Sequence, residues 1–355
     1  MAGGLFVLPS LFILILLSYM YLRFENLAVV SGVLYGVKPA VLAIIIFATY
    51  RIGLHTLKNS ALWIIAFASF IAIAVFNTPF PIIILLAALV GFLAHRFCPA
   101  SFNVVSVQHA GGKYYGKAVI EDVTPTPEHA IFSLKRLTSV LLVGLWLTAM
   151  ITLLLAYGWQ ATLTQMAWFF TKAALLTFGG AYAVLPYVYQ GAVEHYHWLT
   201  AVQMIDGLAL GETTPGPLIM VVAFVGYVGG WSQQILGVEN VFLSGVMAAI
   251  VVTFFTFLPS FMFIFIGAPF IESTQGDLNY SAPLTAITAA VIGVILSLAV
   301  FFARHVFFPS ESVVSIDWLV LAMAILAFIG LFKFKLSVIK LILIFALLGL
   351  MFAKT

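Results

Sequence analysis

Five apolar runs, residues 5–22, 29–50, 137–157, 241–271 and 282–303, are each long enough to cross a lipid bilayer. A run of ~18 or more apolar residues with few charges reads as a membrane-spanning helix, because backbone polar groups in hydrocarbon must all be satisfied. Four shorter runs, 62–76, 80–94, 318–331 and 336–353, have the same character. Two more segments, near 163–190 and 201–230, are apolar but broken by glycine, proline and polar residues. The sequence therefore predicts about eleven membrane-embedded segments, the two broken ones being candidate hairpins. Charged residues make up 8% of the chain, against roughly a quarter in a soluble domain. No alternating ~10-residue segments speak for a β-barrel. The predicted fold class is an all-α polytopic membrane protein.

One segment departs from this pattern. Residues 97–136 are polar, rich in turn formers, and carry Lys113, Lys117, Lys135 and Arg136. They read as an extramembrane loop between two hydrophobic halves. The net charge of +3 fits positive cytoplasmic loops and implies no nucleic-acid partner; the expected surroundings are the lipid bilayer. The single cysteine, Cys98, excludes an internal disulfide and a multi-cysteine metal site. The N-terminal "MAGGLFVLPS" lacks the basic start of a secretory signal.

The halves look related. "FVLPSLFIL" (6–14) matches "TFLPSFMFI" (256–264), "GVKPAVLAIIIFATYRIG" (36–53) resembles "AAVIGVILSLAVFFARHV" (289–306), and Trp63 aligns with Trp318. An internal duplication of this kind is common in secondary transporters. Charge gives its sense. Arg51, His55, Lys58 and Arg96 share a side with the basic loop, which should be cytoplasmic, whereas Lys333 and Lys335 lie at the opposite end of the matching helices. That is the pattern of an inverted repeat. The predicted organisation is a first repeat of about four transmembrane helices (1–96), a cytoplasmic loop (97–136), a linking transmembrane helix (137–157) and a complete second repeat (158–355), with broken membrane helices in the latter.

The chemistry-bearing residues concentrate in the broken segments. In "TKAALLTFGGAYAVLPYVYQ" (171–190), Lys172 is a charge in an apolar run, which either marks a site or snorkels to the interface. Phe178, Gly179 and Gly180 permit a chain break or close helix packing, and Pro186 removes a backbone donor. In "GETTPGPLIM" (211–220), Pro215 or Pro217 fits the first turn of an embedded half-helix, whose N–H groups would face Glu212, Thr213 and Thr214. Gly216 lies between the two prolines. Such a terminus attracts anions, and threonine hydroxyls can add donors. Glu212 is either a proton-coupling group or an acid complementing the helix dipole; Asp206 is a second coupling candidate or an ordinary interfacial acid. Arg51 and Arg304 end equivalent helices, and Arg304 is a candidate anion contact because it falls on the outer side. "EHYHW" (194–198) reads as surface, no metal or cofactor is predicted, and no catalytic motif supports an enzyme.

"FTKAALLTFGGAYAVLPYVYQGAVEHYHWLT" together with "QMIDGLALGETTPGPLIMVVAFVGYVGGW" resembles the second half of bacterial chromate transporters. The resemblance is dense over 165–231 and continues through the Leu-Pro-Ser helices. It implies a multi-pass protein of the bacterial cytoplasmic (inner) membrane that exports chromate, a tetrahedral dianion similar to sulfate, and so confers resistance. It implies two homologous halves and carries the family motif onto Lys172, Phe178, Gly179, Gly180, Glu212, Pro215, Gly216 and Pro217. Long members of the family begin with a first-half Phe-Gly-Gly and Pro-Gly-Pro pair. This chain starts just before its first Leu-Pro-Ser, as if shortened by roughly 70–100 residues. A misassigned start, a separate polypeptide or homodimer partner that completes the site, and an altered remnant are the competing accounts. The alternative function is a non-transporting subunit or sensor derived from such a transporter.

Overall fold

The computed structural model describes residues 2–24, 27–97, 133–177, 181–273, 278–308 and 316–352. They form thirteen α-helices. The first half contains α1 (Ala2–Phe24), α2 (Ala28–Thr56), α3 (Ser60–Ala74) and α4 (Phe80–Phe97). Helix α5 spans Ser133–Tyr157. The second half contains α6 (Thr162–Leu175), α7 (Ala181–Tyr189), α8 (Ala201–Thr213), α9 (Val221–Ser232), α10 (Val241–Ser273), α11 (Leu278–Phe307), α12 (Trp318–Phe332) and α13 (Val338–Phe352). Five helices are long and apolar enough to cross a membrane: α1, α2, α5, α10 and α11. They coincide with the five long runs of the sequence.

Thirteen helices rather than about eleven segments arise because each broken segment folds as two helices. α8 and α9 have 13 and 12 residues, about 20 Å each, short of a ~30 Å hydrocarbon core. They return on themselves: an added Cβ at Gly207 would overlap the Phe224 ring, and one at Gly211 would touch Val221 at 3.4 Å. α6 and α7 pair in the same way, with the Phe169 and Tyr187 rings stacked at 4.7 Å. α8 and α9 therefore form a helical hairpin, and α6 packs against α7. Irregular backbone at this depth is tolerated only where protein or a cavity surrounds it. Here α10 flanks the α9 side, where Gly226 and Gly230 let the backbones meet: a Cβ at Gly226 would come within 2.8 Å of the Ala248 carbonyl oxygen.

The long helices of the two halves exchange partners. α11 packs against α3 and α4 of the first half, and α2 packs against α12 and α13 of the second. Glycines make both crossings possible. A Cβ on Gly293 would overlap the Ala66 carbonyl, one on Gly36 would overlap the Phe345 carbonyl, and one on Gly91 would lie 2.7 Å from the Ala286 Cβ. α11 runs in the same sense as α3: Leu62 shares a buried cluster with Ala282 and Ala286, while Ala74 and Asn77 share a cavity with Phe301 and Arg304. α2 runs in the same sense as α12, since the Tyr35 hydroxyl donates to Asp317 at 2.7 Å and the Phe47 and Tyr50 rings meet Phe332. Because α2 and α3 follow one another across a short turn, α11 is opposed to α2, its sequence counterpart. The inverted sense read from the lysines is thus present in the packing.

Candidate functional site

The hairpin α8–α9 brings the chemistry of the second half against α1 and α2 of the first. Thr200 starts α8 with a capping box: its side chain accepts from the Gln203 N–H while the Gln203 side chain accepts from the Thr200 N–H. α8 ends at Thr213, and Pro217 caps the short 3₁₀ turn Leu218–Met220 that leads into α9. The chain therefore restarts directly after Pro217, as its missing N–H favours. The first N–H groups of this new helix have no carbonyl four residues earlier to meet.

Gly216 at the tip has φ +135°, a conformation side chains with a Cβ rarely adopt. Ser10, from the Leu-Pro-Ser of α1, donates its hydroxyl to the Pro215 carbonyl, and a Cβ on Gly216 would overlap its oxygen. The serine of the first-half motif thus anchors the tip of the second-half hairpin. The threonines do not act as the sequence led us to expect. Thr213 Oγ1 donates to the Leu210 carbonyl at 2.7 Å and Thr214 Oγ1 to that of Gly211 at 2.8 Å. Their protons satisfy carbonyls left over at the end of α8, so in this conformation they are not donors to an anion.

Two acids flank the hairpin in different surroundings. Glu212 lies in the last turn of α8, so it does not complement the positive end of the following helix. It faces the negative end of its own helix, offset by the Tyr182 hydroxyl, which donates to Oε1 at 2.6 Å. Asp206 lies in the middle of α8 and is 2% exposed, enclosed by its neighbours. Its Oδ2 accepts from the Tyr21 hydroxyl of α1 at 3.0 Å, and its Oδ1 stands 3.2 Å from Lys38 Nζ of α2. The Lys38 side chain keeps 26% of its surface exposed against 3% for Asp206.

Sequence reasoning missed Lys38. The signal was available: one lysine about 15 Å along a 29-residue apolar helix, too deep to reach an interface by its start. It is followed by Pro39, which cannot donate to the Tyr35 carbonyl and so loosens the helix beside the charge. Tyr21 and Tyr182 were missed as well, and Ser10 stood out only as part of the repeated Leu-Pro-Ser, since a hydroxyl in a helix announces nothing until its partner is placed.

The remaining expected residues are not gathered here. Lys172 is partly buried in the last turn of α6, with Nζ 5.9 Å from the centroid of the Trp168 ring. It complements the negative helix end and makes a long cation–π contact. Phe178, Gly179 and Gly180 lie outside the described residues. Arg304 is exposed at the end of α11 and lines a separate cavity of about 240 Å³ with Asn77, Gln190, Glu194 and Ser297; none of residues 206–217 lines it. Gln190 there begins a π-helical stretch, and its side chain caps α4 by accepting from the Phe80 N–H at 2.9 Å.

The comparisons with known proteins agree with this architecture. The sequence model of the family described as Chromate transporter matches residues 1–92 and 164–350. A chromate transport protein of Cupriavidus metallidurans is 28% identical over 350 residues, covering 99% of this chain and 74% of that protein. One from Pseudomonas aeruginosa is 31% identical over 356 residues, covering 98% of this chain and 74% of that protein. No solved structure shows a significant match.

Proposed function

The chain belongs to the chromate transporter family, and from that premise we propose that it exports chromate, and related sulfate-like dianions, across the cytoplasmic membrane of a bacterium. The observation that carries the reading is the α8–α9 hairpin itself, whose tip is anchored by Ser10 of α1 and whose buried Asp206 meets Lys38 of α2, so that residues of both halves converge on it. A transporter needs an anion site reachable from either side in turn, and a site at the seam of two repeats is the usual solution. The seam here is formed by α1 and α2 against α8.

In this reading the new helix start after Pro217 and Lys38 supply positive potential for the oxyanion. Lys172, Phe178, Gly179 and Gly180 contribute further contacts to the anion, and Arg304 guides anions at the outer mouth. Asp206 and Glu212 are the groups able to couple the cycle to protons. Rocking of the α2–α3–α4 unit and the α11–α12–α13 unit about their exchanged helices would alternate access. The two stretches matched by the family, 1–92 and 164–350, support 1–96 and 158–355 as the repeats joined by the loop and α5.

Expression in a chromate-sensitive bacterial host tests this. The expected result is growth at raised chromate with lower cellular chromium. Unchanged sensitivity, with the protein present in the membrane, would count against export.

A further inference from the structure

The cavity beside Arg304 has a lining that anion transport does not call for. It is walled by α3 from the first half and by α7, the π-helical stretch Gln190–His195 and α11 from the second. Its inner wall is apolar, with Pro186, Val294 and Leu298 buried there. Two hydroxyls reach this wall from enclosed residues: Tyr189 and Ser297 are each 6% exposed and line the cavity. Ser18, Thr49, Thr171 and Thr256, buried on other helices, each donate to the carbonyl four residues earlier. Ser297 does not, and neither it nor Tyr189 forms a side-chain hydrogen bond among the described residues. A buried hydroxyl without an acceptor is costly, so these two are donors kept for something that enters.

The mouth carries charge of both signs. Arg304 of α11 and Glu194 of the π-helical stretch are exposed and line the cavity, yet they do not pair; the ion pair among the described residues is Lys38 with Asp206. Exposed apolar residues edge the same mouth: Ala74 and Val300 line it, and Val75 and Phe76 are exposed next to them in α3 and its end. In a membrane protein exposed apolar surface faces lipid and exposed charge faces water, so the cavity opens where the two meet. A chromate-like dianion is a poor occupant, because it meets the Glu194 carboxylate and exchanges its hydration for an apolar wall.

We propose that this cavity holds the headgroup of a zwitterionic phospholipid with a primary ammonium, a phosphatidylethanolamine. Ser297 and Arg304 lie seven positions apart on α11 and so share a face. The lipid phosphate takes the Arg304 guanidinium and the hydroxyls of Ser297 and Tyr189. The ammonium takes the Glu194 carboxylate, and the acyl chains leave for the bilayer past Ala74 and Val300. The bound lipid bridges α3 of one half and α11 of the other. This site stands independently of the transport reading. A seated lipid takes up the charge of Arg304, so guidance of anions by Arg304 belongs to the lipid-free protein.

The test is titration of the purified, delipidated full chain in detergent with dioctanoyl phospholipids, read by native mass spectrometry and by thermal unfolding. The ethanolamine lipid should raise the unfolding temperature. It should bind about tenfold more tightly than the choline lipid, whose trimethylammonium cannot donate to Glu194, and than the glycerol lipid, whose phosphate comes without a cation. Arg304→Met should weaken its binding about tenfold. Glu194→Gln should erase the preference, so that phosphatidylglycerol binds at least as tightly. Ser297→Ala with Tyr189→Phe should weaken all three lipids. Glu194 and Arg304 are exposed, so their variants should unfold as wild type does without lipid. Soluble glycerophosphoethanolamine, which has no chains for the apolar mouth, should bind far more weakly. Equal affinity for the three lipids overturns the proposal, as does a wild-type preference for phosphatidylglycerol. So does an ethanolamine preference that survives Glu194→Gln, or undiminished binding in Arg304→Met or in Ser297→Ala with Tyr189→Phe. Binding of the soluble compound as tight as that of the lipid overturns the lipid as occupant. Chromate export is measured separately by vesicle uptake, so neither reading falls with the other.

Discussion

Replacing Lys38 by Met should lower the stability of the purified protein, by at most about 3–5 kcal/mol, because it removes one partner of the buried Asp206 carboxylate. The partial exposure of Lys38 places the effect toward the lower end of that range. Asp206→Asn should cost less, since the ammonium can turn toward the accessible side. The double variant Lys38→Met with Asp206→Asn should recover most of the loss, giving a coupling energy of 0.5–3 kcal/mol, as for other residues in contact. Thermal unfolding in detergent, followed by loss of the monodisperse peak, measures all four members of the cycle. Additive losses would mean that the two residues do not interact in the stable state. Transport should be lost in both proteins that lack Lys38, whether or not stability is recovered. This dissociation of stability from transport is what separates a substrate-binding lysine from a merely structural one.

Gly216→Val should abolish transport. The tip conformation at φ +135° costs a non-glycine residue about 1–3 kcal/mol, and a β-branched side chain fares worst. Any Cβ there also overlaps the Ser10 oxygen. The two costs can be told apart. Ser10→Gly in the Gly216→Ala background removes the overlap but leaves the dihedral strain, so it should restore part of the lost transport. Ser10→Ala alone, which removes the bond to the Pro215 carbonyl without adding bulk, should reduce transport by about two- to tenfold, the worth of one net hydrogen bond. Wild-type transport in Gly216→Val would show that the hairpin tip is not shaped for its task.

Much of this architecture was legible in the chain. Apolar runs of membrane length leave little choice of structure, so α1, α2, α5, α10 and α11 could be read from composition alone. The break at 213–217 was legible because proline and glycine act locally. Pro217 lacks a donor wherever it sits. The opposed sense of the halves was legible from lysines, whose placement follows the membrane sides. The site was much less so. Asp206 was open between a coupling group and an interfacial acid, because spacing along a chain does not show which neighbours will enclose a residue in a bundle. Lys38 passed unnoticed inside a stretch aligned for its apolar residues and its arginine. Thr213 and Thr214 looked like donors to a ligand, and only the geometry of the helix end shows their protons turned to Leu210 and Gly211. Periodicity and local punctuation describe elements. Charge pairing between elements belongs to tertiary structure, and here it joins residues separated by 168 positions.

The central claim, that this chain itself moves chromate through the seam between its halves, is tested most directly by uptake of chromate into inside-out membrane vesicles or proteoliposomes containing only this protein. The account predicts saturable uptake above empty vesicles, inhibited by sulfate and absent in Lys38→Met with Asp206→Asn. Vesicles that contain correctly inserted protein yet take up no more chromate than empty ones would contradict it.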